Sequence, residues 1–445
     1  MIVWNLNTIN KKYRGEDNII LEKNTLPILK NEKLLKKNKL LSIKNIEKNF
    51  DLVKNEIHST ITSNSYEDYA RIQFKDILSK AICKDASDIH IEPFEDEVII
   101  RFRVDGELSK MLTIAIESYS FLITVIKLDS GINITEKRLP QDGRMDIEIE
   151  DVKVDIRTST IPTIYGEKIV LRILNRQALI KDKSELGFSE QAIEKIENII
   201  NKKSGILLIT GSTGSGKTTT VYSILKELLN SNKNIMTIED PVEYKIKGIN
   251  QIQVNDKIGL TFDVGLKSIL RQDPDIIMVG EIRDTETANT AIRAASTGHL
   301  VISTMHTNDT ISSINRLIEM DIPTYLISST LIGIISQKLV RKRCNNCSKD
   351  IVEKNNLDKL INTIQVCNKC EDKGYYGRTA MYEILEINES LKQEINNWTD
   401  SRNTSNTIKK SEMISFKDSA TYLIENGITT QEECGLLEGI WYARN

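Results

Sequence analysis

The sequence has no long apolar run and no strong excess of charge of either sign. Its 445 residues include 60 Lys and Arg against 63 Asp and Glu, which gives a net charge of −3 at pH 7. That balance argues against a general polyanion-binding protein. The longest apolar candidate, residues 326–335, is interrupted by three hydroxyl side chains. It falls short of the roughly 18 residues that a membrane-spanning helix needs.

The first residues also lack a charged segment followed by a long apolar segment, so no secretion signal is expected and the sequence predicts a cytosolic protein. Cysteine is scarce, with six in the chain, but four of them form two C-x-x-C pairs. Without a secretion signal, such pairs favour metal binding over disulfides. Nineteen residues separate the pairs, a spacing typical of a structural Zn²⁺ site whose ligands are Cys344, Cys347, Cys367 and Cys370.

The length suggests about three domains. The N-terminal segment is basic, because residues 1–54 hold 12 Lys and Arg but only 6 Asp and Glu. The predicted parts are a short basic arm and linker at 1–66, an α+β domain at 67–180, and an α/β domain at 181–445 that includes a cysteine module at 341–378 and a helical region at 379–445.

Side-chain alternation predicts strands in the α+β domain. Arg101 lies on the polar face of one predicted strand, because apolar residues flank it at alternate positions. Residues 145–156 reverse their alternation at 150–151, which predicts a hairpin whose second strand presents Arg157 on its polar face. Residues 118–128 have the apolar periodicity of a helix.

The α/β domain contains four short apolar runs separated by helical segments. Runs of this kind, bounded by Gly, Pro and polar residues, are typical of parallel strands that are buried on both faces. They lie at 204–212, 234–241, 275–282 and 299–306. The alternation of buried strand and helix predicts a nucleotide-binding α/β core.

A phosphate-binding loop follows the first of these runs. Residues 211–218, GSTGSGKT, match the pattern G-x-x-x-x-G-K-[ST] between a predicted strand and a predicted helix. Lys217 is expected to reach the β- and γ-phosphates and the Thr218 hydroxyl to bind Mg²⁺. No guanine-reading N-K-x-D motif occurs, so ATP is favoured over GTP. The predicted nucleotide-binding residues are Gly211, Ser212, Thr213, Gly214, Ser215, Gly216, Lys217, Thr218 and Thr219.

Acidic residues at the ends of two other runs complete a candidate catalytic site. Glu281 ends an apolar strand and is expected to act on the attacking water. Gly280 stands where a metal-holding Asp commonly precedes that Glu, so Glu239 and Asp240 are the next candidates, with an ordinary strand-end turn as the alternative. His306 ends the fourth run and is predicted to sense the γ-phosphate, with a structural histidine as the alternative.

Taken together, these segments resemble the ATPases of type II secretion and type IV pilus assembly. Gly280 before Glu281 and the acidic pair Glu239–Asp240 are features of that family too. The resemblance rests on SDIHIEP at 87–93, RFRVDGEL at 101–108, LPQDGRMD at 139–146, IRTSTIPTIYGEKIVLRIL at 156–174, GSTGSGKTTT at 211–220, TIEDPVEY at 237–244, LRQDPDIIMVGEIRD at 270–284, TGHLVISTMHTND at 297–309, GYYGRTAMYEIL at 374–385 and NGITTQEE at 426–433.

The resemblance implies a RecA-like P-loop ATPase core preceded by a smaller, PAS-like α+β domain, together with a tetracysteine zinc module of the assembly branch. It implies a homo-hexamer that uses ATP, Mg²⁺ and Zn²⁺. Arginines of the N-terminal domain would close over the nucleotide, which makes Arg101, Arg144 and Arg157 catalytic candidates. A solvated sheet surface with local ion pairs is the alternative for these arginines.

In that family the ring lies at the cytoplasmic face of the inner membrane. There it contacts an inner-membrane platform protein and other docking components, and it drives pilin or pseudopilin assembly for secretion, pili or DNA uptake. The resemblance implies the same location and partners for this chain.

Two other functions stay open. A conjugation-type or nucleic-acid-translocating motor has the same P-loop core but needs a basic channel. Residues 55–445 carry a charge of −9, from −3 less the +6 of the arm, so no nucleic-acid partner is expected. A zinc-ribbon binding module with a vestigial nucleotide site is the non-enzymatic alternative, and the intact Lys217 and Glu281 argue against it.

Overall fold

A computed structural model of the chain describes residues 63–149, 152–175, 182–229, 232–347, 367, 369–398 and 413–435. Most of the predicted arm and the turn residues 150–151 of the predicted hairpin lie outside the described residues, as do residues 436–445. Among the helices of the described part, none combines the length and apolar character that crossing a bilayer requires.

An antiparallel six-stranded sheet with two helices comes first along the chain. Its elements are α1 Ser63–Cys83, β1 Asp88–Pro93, β2 Val98–Val104, β3 Glu107–Ile114, α2 Ile116–Asp129, β4 Gln141–Ile149, β5 Val152–Thr163 and β6 Gly166–Asn175. The strand order is β3-β2-β1-β6-β5-β4. Apolar residues of α1 and α2 share one core with alternate residues of the strands, so the helices cover one face and leave the other polar.

The strand and helix predictions for this region are confirmed. Ile100 and Phe102 are fully buried in β2, whereas Arg101 between them is half-exposed. Strands β4 and β5 form an antiparallel pair that begins with Ile149 opposite Val152, next to the turn, as the predicted hairpin requires. The predicted helix 118–128 lies within α2.

An eight-stranded, mostly parallel sheet follows. Its elements are α3 Glu190–Ile200, β7 Gly205–Thr210, α4 Lys217–Leu228, β8 Ile235–Glu239, β9 Asn250–Gln253, α5 Phe262–Ile269, β10 Ile276–Val279, α6 Thr285–Ser296, β11 Leu300–Met305, α7 Thr310–Glu319, α8 Thr324–Thr330, β12 Leu331–Arg343, β13 Tyr375–Glu386, α9 Glu389–Asn396, β14 Met413–Ile414, α10 Phe416–Glu425 and α11 Gln431–Gly435. The strand order is β14-β13-β12-β7-β11-β10-β8-β9. The four predicted parallel strands are β7, β8, β10 and β11, which confirms that prediction.

Both faces of this second sheet are covered by helices. In β7, Ile206 and Leu208 join the core that packs on α5, α6 and α7, whereas Leu207 and Ile209 join the core that packs on α3 and α4. Because successive strand residues point to opposite faces, an apolar run without alternation is what a strand buried on both sides needs. This three-layer arrangement is the α/β core that the sequence predicts.

The predicted helical region 379–445 is wrong at its start, because residues 379–386 belong to strand β13. The segment from Thr379 to Leu385 is buried on both faces and pairs with β12 along its length. Its Ala, Met, Glu and Leu residues favour a helix in isolation, so here tertiary pairing overrides local propensity.

Candidate functional site

The loop between β7 and α4 has the backbone of a phosphate cradle. Gly211, Gly214 and Gly216 have positive φ angles of 144°, 77° and 90°, which residues with a Cβ rarely adopt. Ser212 and Thr213 at the crest of the loop are exposed, and α4 begins at Lys217. The free N–H groups at the start of α4 therefore face the same space as the loop amides, where an anion would be stabilised.

The Lys217 side chain folds back into this loop. Its Nζ donates to the carbonyl oxygens of Gly211 and Ser212 at 2.8 and 3.0 Å. Burial lowers the pKa of Lys217, and the negative charge of Glu281 opposes that shift. Beside it, the buried Ser215 hydroxyl oxygen has no hydrogen-bond partner among the described residues. A buried ammonium and an unpaired hydroxyl next to exposed amides fit an anionic ligand.

Glu281 and His306 meet at the carboxyl edge of the parallel strands. Strands β7, β11 and β10 are neighbours, and Lys217, His306 and Glu281 follow their respective ends. His306 Nε2 lies 3.3 Å from Glu281 Oε2, and Arg283 pairs with the other oxygen of that carboxylate. Ligands of open α/β sheets bind at this edge, so the predicted catalytic Glu and the predicted sensor lie where a γ-phosphate would reach.

Glu239 is held differently from the way the sequence suggests. The carboxylate is buried and accepts hydrogen bonds from the hydroxyls of Tyr222 and Thr237, both at 2.5 Å, and from Gln251 Nε2 at 3.1 Å. A carboxylate with these donors is not presented to the loop as an open metal ligand. The next residue, Asp240, is exposed. The hydrogen bond to Glu281 raises the pKa of Arg283, and the charge of Asp240 adds to that shift.

Arginines line the polar face of the six-stranded sheet in a cross-strand row. Arg144 lies opposite Arg157, which lies opposite Arg172, and Asp88 continues the row toward Arg103. Like charges on facing positions repel one another, so each arginine needs a carboxylate partner or an anionic ligand.

The three predicted arginines have different partners. Arg101 pairs with the buried Glu92 at 2.5 Å, and Arg144 forms a two-pronged contact with the buried Asp155 inside its own sheet. The Arg157 guanidinium instead reaches Glu243, in the TIEDPVEY segment of the second sheet, at 2.6 Å. Of the three, Arg157 therefore joins the arginine face to the nucleotide-binding side of the molecule.

The four predicted zinc ligands cluster at the connecting end of the hairpin formed by β12 and β13, hereafter the cysteine hairpin. Their Sγ atoms all lie within 4.8 Å of one another, with Cys344 and Cys367 at 3.8 Å and Cys347 and Cys370 at 3.4 Å. Four thiolates at about 2.3 Å from one Zn²⁺ lie about 3.8 Å apart, so the spacing fits. The thiols of the cluster differ: backbone N–H groups lower the pKa of Cys367 to about 7, whereas burial raises the pKa values of Cys347 and Cys370. The geometry of the four sulfur atoms, and not their pKa values, therefore supports a metal site.

We expect one metal ion per chain, held at this cluster. Cys344→Ser should abolish metal binding and lower the melting temperature, because a structural Zn²⁺ contributes directly to folding. Cys83→Ser is the matched control, since Cys83 is exposed and outside the cluster, and it should retain the metal. Metal analysis of protein purified without chelator measures this, and metal-free wild-type protein would contradict it.

The end of the cysteine hairpin also contacts the six-stranded sheet of the same chain. Residues that flank the cysteines bond to the connection between α1 and β1 and to the turn between β2 and β3. The contacts are Lys84 with Glu371, the Tyr376 hydroxyl with Asp85 at 2.8 Å, the Gly377 amide with Asp105 at 2.8 Å, and Arg341 with Glu107. Two surfaces thus join the sheets, one at Arg157 and one at the cysteine hairpin.

Several residues that contact the site were not among those predicted. Two of them had weak signals in the sequence. Arg283 is a charged residue two positions after Glu281, and Arg172 is a charged residue inside an apolar strand. Gln337 and Glu383 are buried polar residues within β12 and β13, and they bond to the loops around Lys217 and His306. Glu383 is a lone polar residue inside an apolar run, a signal that could have identified it, whereas Gln337 lies between Ser336 and Lys338 and has no such signal.

Comparison with known proteins places these features in a family. The family model described as "Type II/IV secretion system protein" matches residues 65–436. The Type IV pilus assembly ATPase PilB of Thermus thermophilus is 44% identical over 371 residues, which is 81% of this chain and 42% of that protein. The Type II secretion system ATPase E of Vibrio cholerae is 42% identical over 367 residues, 80% of this chain and 73% of that protein.

Among solved structures, the pilus retraction motor PilT with bound ADP is similar at a TM-score of 0.57 and 27% identity. The match covers 81% of this chain and 95% of that one. This chain therefore spans less than half of the PilB relative but most of the secretion ATPase and of the retraction motor.

Proposed function

The chain is an ATPase of the type II/IV secretion system protein family, and we propose that it hydrolyses ATP at the 211–219 loop to drive pilin or pseudopilin assembly. The observation that carries the proposal is the meeting of Lys217, Glu281 and His306 at one edge of the parallel sheet. A phosphate-binding ammonium and a carboxylate that orients water are groups that γ-phosphate hydrolysis uses, and the imidazole at the same edge would sense the γ-phosphate.

ATP would bind with its phosphates along the loop. The backbone N–H groups of residues 212–218 would donate to the β- and γ-phosphates, and the Ser215 hydroxyl would gain the partner that it lacks among the described residues. Lys217 Nζ would exchange its contacts with the two loop carbonyls for contacts with phosphate oxygens. These groups neutralise charge and position the γ-phosphate for attack.

The attacking water would be oriented by Glu281. The carboxylate accepts a proton from the water as its oxygen bonds to the γ-phosphorus and the bond to the β-phosphate oxygen breaks, releasing ADP and phosphate. Arg283 pairs with one oxygen of this carboxylate, and His306 Nε2 lies 3.3 Å from the other, which has no hydrogen-bond partner among the described residues. Bound Mg²⁺ neutralises phosphate charge, and the Thr218 hydroxyl with Asp240 would hold it or its waters.

The arginine face would complete the site by closing on the nucleotide. Arg157 already contacts Glu243, in the segment that follows β8, so it is the arginine of the three that would move onto the nucleotide from an existing contact between the two domains. Arg144 lies opposite Arg157 and would add charge from the same row. Arg101 lies outside this row and would contribute through its pair with Glu92.

We expect Arg157→Ala to lower ATP turnover about ten- to a hundredfold, because a charged hydrogen bond is worth about 1.5–3 kcal/mol. Arg144→Ala and Arg101→Ala should also lower turnover. Steady-state phosphate release measures this, with Arg138→Ala as the control, because Arg138 is exposed and its ion-pair partner among the described residues is the nearby Glu136. Glu243→Gln tests whether Arg157 acts through its contact with Glu243 or on the nucleotide itself. If it lowers turnover as much as Arg157→Ala, Arg157 acts only through Glu243.

We further propose that the chain works as a homo-hexamer at the cytoplasmic face of the inner membrane, on a platform protein and its docking components. Family membership supports this. In the organism that carries the chain, expressing a Glu281→Gln copy beside the wild type should suppress pili or secretion, since defective subunits would enter shared rings. Unchanged pili and secretion at equal expression would reject a shared ring.

A further inference from the structure

Strand β12 contains one fully buried amide, between Ser336 and Lys338. Gln337 is 1% exposed, and both ends of its side chain are bonded. Its Nε2 donates to the Ser215 carbonyl at 2.8 Å, and its Oε1 accepts from the Thr220 hydroxyl at 2.8 Å. Burying an amide is costly unless it is hydrogen-bonded, so both bonds contribute to holding these partners in place.

Both partners of Gln337 belong to the phosphate loop and the helix that follows it. The main chain of the loop also lies against the same residue: a Cβ on Gly211 would come within 2.4 Å of the Gln337 carbonyl oxygen. A Cβ on Gly216 would lie 3.0 Å from Gln337 Nε2. The path of the loop is therefore set by its contact with one residue of β12.

The cysteine hairpin has a second connection, to the loop that follows His306. On β13, the Glu383 carboxylate accepts hydrogen bonds from the Thr310 amide at 2.9 Å and from its hydroxyl at 2.5 Å. On β12, the Ser336 hydroxyl donates to the Asn308 carbonyl at 3.2 Å. The hairpin thus holds both loops that would surround the phosphates, and its far end carries the cysteine cluster.

We propose that Gln337 is a positioning residue that fixes the phosphate loop and joins it to the cysteine hairpin. The proposal rests on the function proposed above. When phosphates order the loop, the bonds of Gln337 transmit that ordering along β12 toward Cys344 and the contacts with the six-stranded sheet. The contacts between the cysteine hairpin and the six-stranded sheet then depend on whether nucleotide is bound.

Gln337→Leu tests this, because leucine has a similar size but forms neither hydrogen bond. The Kd for Mg-ATP should rise about tenfold, which is about 1.4 kcal/mol. At saturating Mg-ATP, wild-type protein should gain protection from hydrogen exchange at residues 338–343 and 375–380, and the variant should not. A purely structural role would lower the melting temperature but leave that nucleotide-dependent change intact.

Two further variants make the test decisive. Gln73→Leu, in α1, is the matched control, since its Oε1 is buried without a partner in the described part of the chain, and it should behave as wild type. Thr220→Val removes one of the two bonds and should raise the Kd a few-fold even if Gln337→Leu does not fold. The inference is overturned if Gln337→Leu has the Kd for Mg-ATP and the hydrogen-exchange protection of the wild-type protein. If Thr220→Val alone folds, the same result in that variant overturns the inference. If wild-type protein does not bind Mg-ATP, the proposed function fails instead.

Discussion

Glu281→Gln should bind ATP normally but hydrolyse it about 10²–10⁴-fold more slowly, the range expected when a general base is lost. The glutamine keeps the size of the side chain but cannot accept the proton of the attacking water. Lys217 and the loop amides that bind phosphate are unchanged, so the Kd for ATP should stay close to that of wild type. Phosphate release under single-turnover conditions and equilibrium nucleotide binding separate the two effects.

Glu286→Gln provides the matched control for this substitution. Glu286 lies five residues further on, in the first turn of α6, and is exposed to solvent. The control should hydrolyse ATP at the wild-type rate. A Glu281→Gln protein that also hydrolyses at that rate would remove Glu281 from the mechanism, and an equal loss of ATP binding would reassign it to nucleotide binding.

Lys217→Ala, unlike Glu281→Gln, should lose ATP binding. The lysine would contribute at least two charged hydrogen bonds to phosphate, each worth about 1.5–3 kcal/mol. Their loss should raise the Kd for Mg-ATP about 10²–10⁴-fold. The fold should survive, because the substitution also removes a buried charge. Isothermal titration with Mg-ATP measures the Kd, and circular dichroism checks the fold.

Lys226→Ala is the control for Lys217→Ala, because it removes an exposed lysine from the same helix, where it pairs with Asp182. Its Kd should match that of wild type. ATP binding of wild-type strength in Lys217→Ala would mean that the phosphates do not bind at residues 211–219.

The sequence sufficed for those parts of the fold that local patterns determine. The four parallel strands were predictable because each is a short apolar run, and the β4–β5 hairpin because its alternation reverses at one point. The cysteine cluster was predictable from spacing, since two knuckles suffice to place four thiols together. The roles of Glu281, His306 and the arginines stay predictions.

Features that depend on strands meeting across the fold could not be predicted. Strand β13 has helix-favouring residues and becomes a strand only because β12 pairs with it. Glu239 was a candidate metal ligand by its position, but Tyr222 and Gln251 reach it from other elements. Gln337 lies far from the phosphate loop in the sequence, and only the pairing of β12 with β7 brings them together.

Phosphate release from Mg-ATP by the purified wild-type chain, followed over a range of protein concentrations, tests whether the chain is an ATP-hydrolysing ring. We expect turnover per chain to rise with concentration and then level off as rings fill. The same preparation of Glu281→Gln should release almost none. Wild-type release no greater than that of Glu281→Gln at every concentration would contradict ATP hydrolysis at this site, and turnover per chain independent of concentration would contradict ring assembly as its requirement.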